Sequence, residues 1–230
     1  MLRFLQRIVS ITCFLVLVFQ ITQVNGQNDS IKSSNDSYIS FDLTTLLDSR
    51  APRLRASYFK DINSHWKIGT AVGYGNRGLS FFAGNNNSDR IQDDYKLWEV
   101  RPEIIWIENP EDEDKRYLSL ELFYVNHTDV LLQGEFRQDG LIVPYNSVDY
   151  QRQKYGLNIK YGFILDINDR LSFNLYSGLG FRIRNNVFKN ADISDDFFSR
   201  NIFGGIKYRE QGGSDFNYNF PLGLKLLYRL

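Results

Sequence analysis

The segment Phe220-Pro-Leu-Gly-Leu-Lys-Leu-Leu-Tyr-Arg-Leu230 decides the fold class of this chain. Large apolar residues stand at every second position of it: Phe220, Leu222, Leu224, Leu226, Tyr228 and Leu230. Pro221, Gly223, Lys225 and Arg229 occupy most of the positions between them. A period of two is the pattern of a β-strand with one apolar face. The segment therefore predicts an amphipathic strand and an all-β chain.

Residues 1–26 have the three parts of a secretory signal peptide. Arg3 and Arg7 give a basic start, an apolar run follows over residues 8–21, and small residues precede the end at Gly26. The apolar run is short for a span of a bilayer. We expect cleavage after Gly26, and the polar residues 27–37 then form a flexible lead to a single domain over residues 38–230.

Charge and cysteine content exclude several functions. The chain has 27 basic and 27 acidic residues, and loss of Arg3 and Arg7 with the leader leaves 25 basic against 27 acidic ones. This balance gives no reason to expect nucleic acid as a partner. Cys13 is the only cysteine and lies in the leader. The mature chain is therefore expected to have no disulfide and no thiol for catalysis or metal binding.

Alternation recurs in eight segments after the lead, and each predicts a strand. They cover about 38–47, 53–61, 66–75, 95–107, 117–136, 150–166, 171–184 and 220–230. Alternation weakens late in the fifth segment, which indicates a bulge or a protruding hairpin. Short turns alternate with longer loops at 76–94, 137–149 and 185–218. This pattern is typical of a closed antiparallel transmembrane barrel of up-and-down topology, in which the first and last strands pair.

The polarity of the two strand faces decides which face is outside. Several apolar faces extend over about ten residues, enough for a tilted strand to cross the apolar layer of a membrane. A Lys or Arg facing lipid at mid-membrane would cost about 2 to 4 kcal/mol. We therefore expect the charged faces to point into the lumen and the apolar faces toward lipid. Aromatic residues near the ends of the apolar faces predict girdles: Trp66, Tyr74, Trp98, Trp106, Tyr124, Tyr155, Tyr161 and Tyr228.

On this pattern the mature chain resembles the small eight-stranded outer-membrane barrels of the OmpA/OmpX-like type, and in particular the uncharacterised outer-membrane beta-barrel domain family. Gly223, with Leu226 and Tyr228 three and five places on, looks like the closing-strand signal read by the barrel assembly machinery. Pro221 stands where that signal usually has a polar residue, and Leu230 where it usually ends on an aromatic one. The resemblance implies a monomer in the lipid of the cell outer membrane, with both termini and the lead in the periplasm of a Gram-negative envelope.

Charged residues on the inward faces are the main candidate site. Both signs are present in similar numbers, and charges buried without a partner are costly. An eight-stranded lumen is just wide enough to be filled by side chains. The sequence therefore predicts a structural charge network rather than an open pore, formed by Arg53, Arg55, Glu99, Arg101, Glu103, Glu121, Lys160, Arg182, Arg184 and Lys225.

These patterns favour a barrel with a structural or surface-interaction role, and they leave two alternatives open. One is an outer-membrane lipid hydrolase that uses His127, although alternation places this residue on the inward face. The other is a soluble exported lipocalin-like carrier, whose apolar faces would line a ligand cavity. We expect no catalytic, cofactor or metal site in the favoured case. The acidic stretches 85–94 and 192–196 lack the spacing of a calcium loop.

Overall fold

The computed structural model of the protein describes residues 36–48, 51–79, 94–112, 114–138, 140–194 and 211–230. The predicted signal peptide and most of the predicted lead lie outside these residues. So do the central parts of two predicted loops, at 80–93 and 195–210. Over the described ranges, none of the helical turns has the length and apolar character needed to cross a membrane.

The described residues form nine strands and two short 3₁₀ turns. The strands are β1 (Ser37–Asp42), β2 (Leu54–Asp61), β3 (Trp66–Asn76), β4 (Lys96–Ile107), β5 (Asp114–Gln138), β6 (Leu141–Asp166), β7 (Leu171–Ile193), β8 (Gly213–Asn219) and β9 (Leu222–Arg229). The 3₁₀ turns are η1 (Thr44–Leu47), after β1, and η2 (Arg77–Leu79), after β3. The predicted first strand, 38–47, is therefore too long, because its second half turns into η1.

The strands close into an eight-membered antiparallel barrel. Each of β1 to β7 pairs with the next strand in the chain, and β1 also pairs with β9. β8 and β9 both pair with β7, one above the other, so together they form the eighth member. The break between them contains Pro221, which has no N–H to donate to a ladder. The predicted all-β, eight-stranded, up-and-down barrel is confirmed.

Along the barrel strands the large exposed apolar side chains point outward, whereas the inward positions hold the charged residues together with two buried apolar clusters, one around Phe59 and Tyr117 and one around Tyr95 and Phe123. Tyr58, Val72 and Leu175 are each about half exposed, whereas the inward Glu99 and Lys160 are 2% and 0% exposed. The assignment of faces follows the strand period of two, in which neighbouring residues point to opposite sides. The predicted orientation of the apolar and charged faces in the barrel agrees with the structure.

Aromatic rings in the lumen lie across glycines of the neighbouring strand. A Cβ built on these glycines would lie 2.3 to 2.9 Å from the ring opposite, so a larger residue there would displace the ring. The directly paired residues are Phe59 with Gly69, Tyr117 with Gly162, Phe123 with Gly156, and Tyr176 with Gly223. The lumen is thus filled partly by rings that lie flat against the wall.

Two of the predicted loops are largely strand. β5 and β6 form a long hairpin in which Gln138 pairs with Leu141 and Gly140 lies in the turn, so the predicted loop 137–149 is wrong. β7 continues to Ile193 and β8 begins at Gly213, so the predicted loop 185–218 is too long. Gln133, with φ of 46°, interrupts the ladder of the hairpin without a change of register, so of the two predicted alternatives the protruding hairpin is the one confirmed. The upper parts of β5, β6 and β7 form a protruding sheet, residues 129–149 and 187–193, with a core around Phe136 and Tyr145.

Candidate functional site: the charged lumen

Glu99 is the centre of one half of the charged lumen. Its Oε1 accepts hydrogen bonds from Nε of Arg53 at 2.8 Å and from Nε of Arg55 at 2.6 Å. Its Oε2 accepts from Nε of Arg101 at 3.0 Å. Gly73 lies opposite on β3, and a Cβ there would come within 2.6 Å of the Glu99 side chain. The glycine therefore leaves the space that this fully buried carboxylate occupies.

Glu103 and Glu121 form the second half of the lumen cluster. The ammonium of Lys160 lies 2.6 Å from Oε1 of Glu103 and 2.9 Å from Oε2 of Glu121. Lys225 of β9 lies 3.3 Å from Glu103, and Arg101 lies 2.9 Å from Glu121. Because Arg101 contacts both Glu99 and Glu121, the two halves are one connected set of charges.

Two acidic members of this set were missed in the sequence. Asp42 accepts from Arg55 at 2.8 Å and from the Tyr176 hydroxyl at 3.1 Å, and Asp48 pairs with Arg53 at 3.0 Å. Asp42 stands on the polar face of the first predicted strand, so its alternation could have identified it. Asp48 follows η1 and has no strand periodicity that would predict its direction.

The connected set, which we call the central network, is balanced in charge. Its five cations are Arg53, Arg55, Arg101, Lys160 and Lys225, and its five carboxylates are Asp42, Asp48, Glu99, Glu103 and Glu121. Burying an ion pair costs a large desolvation free energy. Removing one partner therefore destabilises the folded protein far more than replacing both partners by apolar residues. This balance therefore makes each member of the central network sensitive to substitution.

The other two predicted members lie higher in the lumen. Arg184 pairs with Asp215 of β8 at 2.8 Å, and Arg182 donates to Asn219 at 3.5 Å. Both residues reach toward β8, because the upper half of β7 pairs with that strand. The structure thus brings eight of the ten predicted residues together and places Arg182 and Arg184 beside the eighth wall member.

A cavity of about 330 Å³ lies in the upper lumen, beside the central network. Arg53, Arg55 and Arg101 of the network line it from one side. Its other lining cations are Arg152, Lys154 and Arg182, of which the first two were not singled out in the sequence. Arg152 and Lys154 occupy a part of β6 whose polar and apolar residues alternate weakly, so the pattern gave no direction for them.

His127 is buried on the lumen side of β5, as its alternation predicted. Its Nδ1 lies 2.9 Å from Nη2 of Arg152, and the rings of Tyr95 and Tyr150 pack edge-on against the imidazole. The imidazole lines the cavity and does not lie on the outer surface. A catalytic role for His127 stays a prediction.

Residues of the predicted assembly signal lie in β9, at the closure of the barrel. Leu226 pairs with Phe41 and Tyr228 with Ile39 of β1, both with outward side chains. Gly223 faces inward, under the ring of Tyr176. The predicted pairing of the first and last strands is confirmed, whereas recognition of β9 by an assembly machinery stays a prediction.

Compared with known proteins, the chain matches no protein-family model, no curated protein and no solved structure. The functional assignment therefore rests on the geometry of the barrel.

Proposed function

We propose that the protein is an integral β-barrel of the cell outer membrane, with a structural or surface-interaction role and a lumen filled by its charge network. The supporting observation is the belt of exposed apolar side chains around the barrel. Each member of the wall contributes to it: Phe41, Tyr58, Val72, Ile104, Leu120, Ile159, Leu175 and Leu222. Soluble monomers rarely expose a contiguous apolar surface of this extent.

The direction of the side chains argues against the lipocalin-like alternative. A soluble barrel that carries an apolar ligand has apolar residues inside and polar ones outside. Here Glu99, Glu103 and Lys160 are buried in the lumen beside two small apolar clusters, and the exposed outer faces of the strands carry the large apolar residues of the belt. A lipid bilayer is the environment that suits a barrel with apolar outer faces and a charged lumen.

A filled lumen favours a structural role over transport. Glu103, Glu121, Lys160 and Lys225 meet at the centre of the barrel, and each is at most 4% exposed. Arg101 and Glu99 continue the network toward the cavity. Because paired side chains of the described residues cross the lumen, we expect no steady ion conductance in planar bilayers.

The protruding sheet supports a surface-interaction role. It extends beyond the barrel at the end opposite to Ser37 and Leu230, and it carries exposed apolar residues: Leu132, Leu141, Ile142 and Ile193. Short turns at residues 62–65 and 167–170 lie at the same end of the barrel as Ser37 and Leu230. In outer-membrane barrels the short turns are periplasmic. We infer that the termini are periplasmic and that the protruding sheet faces the outside.

Membrane fractionation tests this proposal. The full chain is expressed in a Gram-negative host, the membranes are washed with alkaline carbonate, and unboiled and boiled samples are compared by gel electrophoresis. We expect the protein in the washed membrane and a change of mobility on boiling, because a closed barrel resists the detergent until it is heated. A periplasmic soluble protein is the control for the wash. Release by carbonate together with an unchanged mobility contradicts the proposal.

A further inference from the structure

Among the residues that the structure describes, backbone pairing around the wall of the barrel is interrupted in its upper half. β1 pairs with β9 up to Asp42 and Lys225, and the N–H of Leu43 still donates to the carbonyl of Leu224 at 2.9 Å. Beyond this point the chain turns into η1 on one side. On the other side stands β8, whose backbone pairs with β7 alone among the residues that the structure describes. We call the boundary between η1 and β8 the seam.

The cavity of the upper lumen reaches the seam. Thr44 and Thr45 of η1 line it from one side of the boundary. Asn219 and Leu222, on either side of the break at Pro221, line it from the other. The break that ends β8 and begins β9 therefore borders both the cavity and the outer surface.

Lys154 lines the cavity together with Arg53, Arg152 and Arg182, and the acids of the lining are Asp48 and Glu121. Within the described ranges the ammonium of Lys154 forms no salt bridge, and Arg152, Arg182 and Arg53 act on it as like charges. Asp48 already pairs with Arg53, and Glu121 with Lys160 and Arg101. Like charges held together in a poorly solvated site repel each other strongly. An anion in the cavity would relieve this repulsion.

The outer side of the seam is apolar. Phe220 and Leu222 are 73% and 71% exposed at the break, and Phe216 of β8 and Leu47 of η1 are exposed above and beside it. Phe220 and Leu222 also line the cavity. A ligand that passes between these residues meets an apolar surface outside and cationic side chains within.

We propose that the cavity binds the anionic head of an amphiphile, a phosphate monoester or a carboxylate, that enters through the seam and leaves its acyl chain against Phe220 and Leu222. This assignment rests on the proposed position of the barrel in a bilayer, from which such a molecule would come. The cavity is at the lower end of the usual size of ligand sites. It therefore accepts a headgroup and the first part of a chain, while the rest of the chain stays in lipid.

Calorimetric titration of the purified full chain in a neutral detergent tests the proposal. The probes are dodecyl phosphate, laurate, inorganic phosphate and dodecanol. We expect dodecyl phosphate or laurate to saturate at one molecule per chain, inorganic phosphate to bind more weakly, and dodecanol not to saturate. The stronger of the two alkyl anions identifies the headgroup chemistry. Equal binding of inorganic and dodecyl phosphate overturns the proposal, because the site would then recognise an anion without a chain.

Two substitutions test separately how the cavity binds the anionic head and how the seam binds the acyl chain. Lys154→Gln is expected to weaken the binding of dodecyl phosphate and laurate by about ten- to a hundredfold, the effect of a lost hydrogen bond to a charged group. Lys96→Gln removes an exposed lysine outside the cavity and should change nothing. Phe220→Ser should weaken the binding of dodecyl phosphate but leave the binding of inorganic phosphate unchanged. Leu179→Ser, an exposed position on β7 away from the cavity, is its control.

The boiled and unboiled gel is run on each variant, so that folding and binding are measured separately. A folded Lys154→Gln variant that binds dodecyl phosphate as tightly as the original chain overturns the site. A barrel that shifts on the gel and stays in carbonate-washed membranes but binds no alkyl anion overturns this inference alone. A protein that carbonate releases from membranes, whatever it binds, removes the bilayer as the source of the ligand and overturns the entry route.

Discussion

Glu99 holds three arginine side chains with a single carboxylate. Its side chain has no exposed surface, and Arg53, Arg55 and Arg101 all donate to it. The amide of Glu99→Gln has the same shape but no charge. It would leave the three guanidinium groups with Asp42, Asp48 and Glu121 as their remaining acids. The site would then carry a buried excess of positive charge.

We expect Glu99→Gln to lower the free energy of unfolding by about 3 to 5 kcal/mol, the usual cost when one partner of a buried ion pair is removed. The measurement is the urea midpoint of the barrel in detergent, followed by tryptophan fluorescence. Glu108→Gln, an exposed position at the end of β4, is the matched control and should leave the midpoint unchanged. Equal midpoints for both variants would show that the network does not stabilise the barrel.

The pairing of glycines with aromatic rings gives a second test at the residue scale. A Cβ at Gly162 would lie 2.5 Å from the ring of Tyr117, and no backbone atom comes as close. We expect Gly162→Ala to destabilise the barrel by about 1 to 3 kcal/mol, the usual cost of overpacking. In the background of Tyr117→Leu the same substitution should cost less, because the ring is gone. A cost that is the same in both backgrounds contradicts the ring contact, as a double-mutant cycle would show no coupling.

The inward direction of single residues could be read from the sequence, but their partners could not. Alternation places Glu99, Arg101, Glu103 and Glu121 on inward faces, and the structure has them there. Which cation meets which carboxylate depends on the register between strands, and a period of two does not determine register. Lys154 was missed for a related reason, since weak alternation around it left its direction open.

At the scale of elements, the alternation marks a strand where one face meets an apolar environment. β3, β4 and the lower part of β7 alternate clearly and were located within a few residues. The protruding sheet has register shifts between β6 and β7, and its outward and inward residues are mixed in polarity. The sequence pattern therefore predicts loops at 137–149 and 185–218, where the structure has strand residues at 141–149 and 185–193. The eighth predicted strand, 220–230, corresponds to β9 alone, and β8, which precedes the break at Pro221, lies almost entirely in the predicted loop 185–218.

The protruding part of the β5–β6 hairpin should be dispensable for the barrel. Beyond the pair Leu132 and Ser147, its described residues contact the protruding sheet, Ser194, Gln211 and Gly212, and none of them forms an ion pair with the central network. We expect a variant that joins Leu132 to Ser147 through an Asn-Gly turn to keep its change of gel mobility on boiling, because the closed wall below is intact. Asn-Gly is the dipeptide that two-residue hairpin turns favour. Loss of the mobility change would show that the hairpin is part of the folding unit.

At the scale of the whole molecule, the barrel has an apolar belt outside and a balanced charge network inside. Neither the belt nor the network alone distinguishes a barrel in water from one in lipid. An apolar outer belt combined with a charged lumen is the arrangement of membrane barrels. The lumen network explains how charged residues remain in such a protein, because each carboxylate has its cations within hydrogen-bonding distance. Fold class and face assignment followed from the sequence because both depend on local alternation. The seam and the cavity depend on where two strands fail to pair, and that could be seen only in three dimensions.

Spin-label accessibility in reconstituted bilayers tests the membrane position of the belt most directly. The one cysteine, Cys13, lies in the predicted leader, so single cysteines can be placed at Leu120, Ile159 and Leu175, and at Asp169 in a short turn. We predict that labels at the three belt positions collide with oxygen, which dissolves in lipid, and are shielded from a water-soluble nickel complex, whereas the label at Asp169 shows the reverse. Belt labels as accessible to the nickel complex as the label at Asp169 would show that the belt does not lie in lipid.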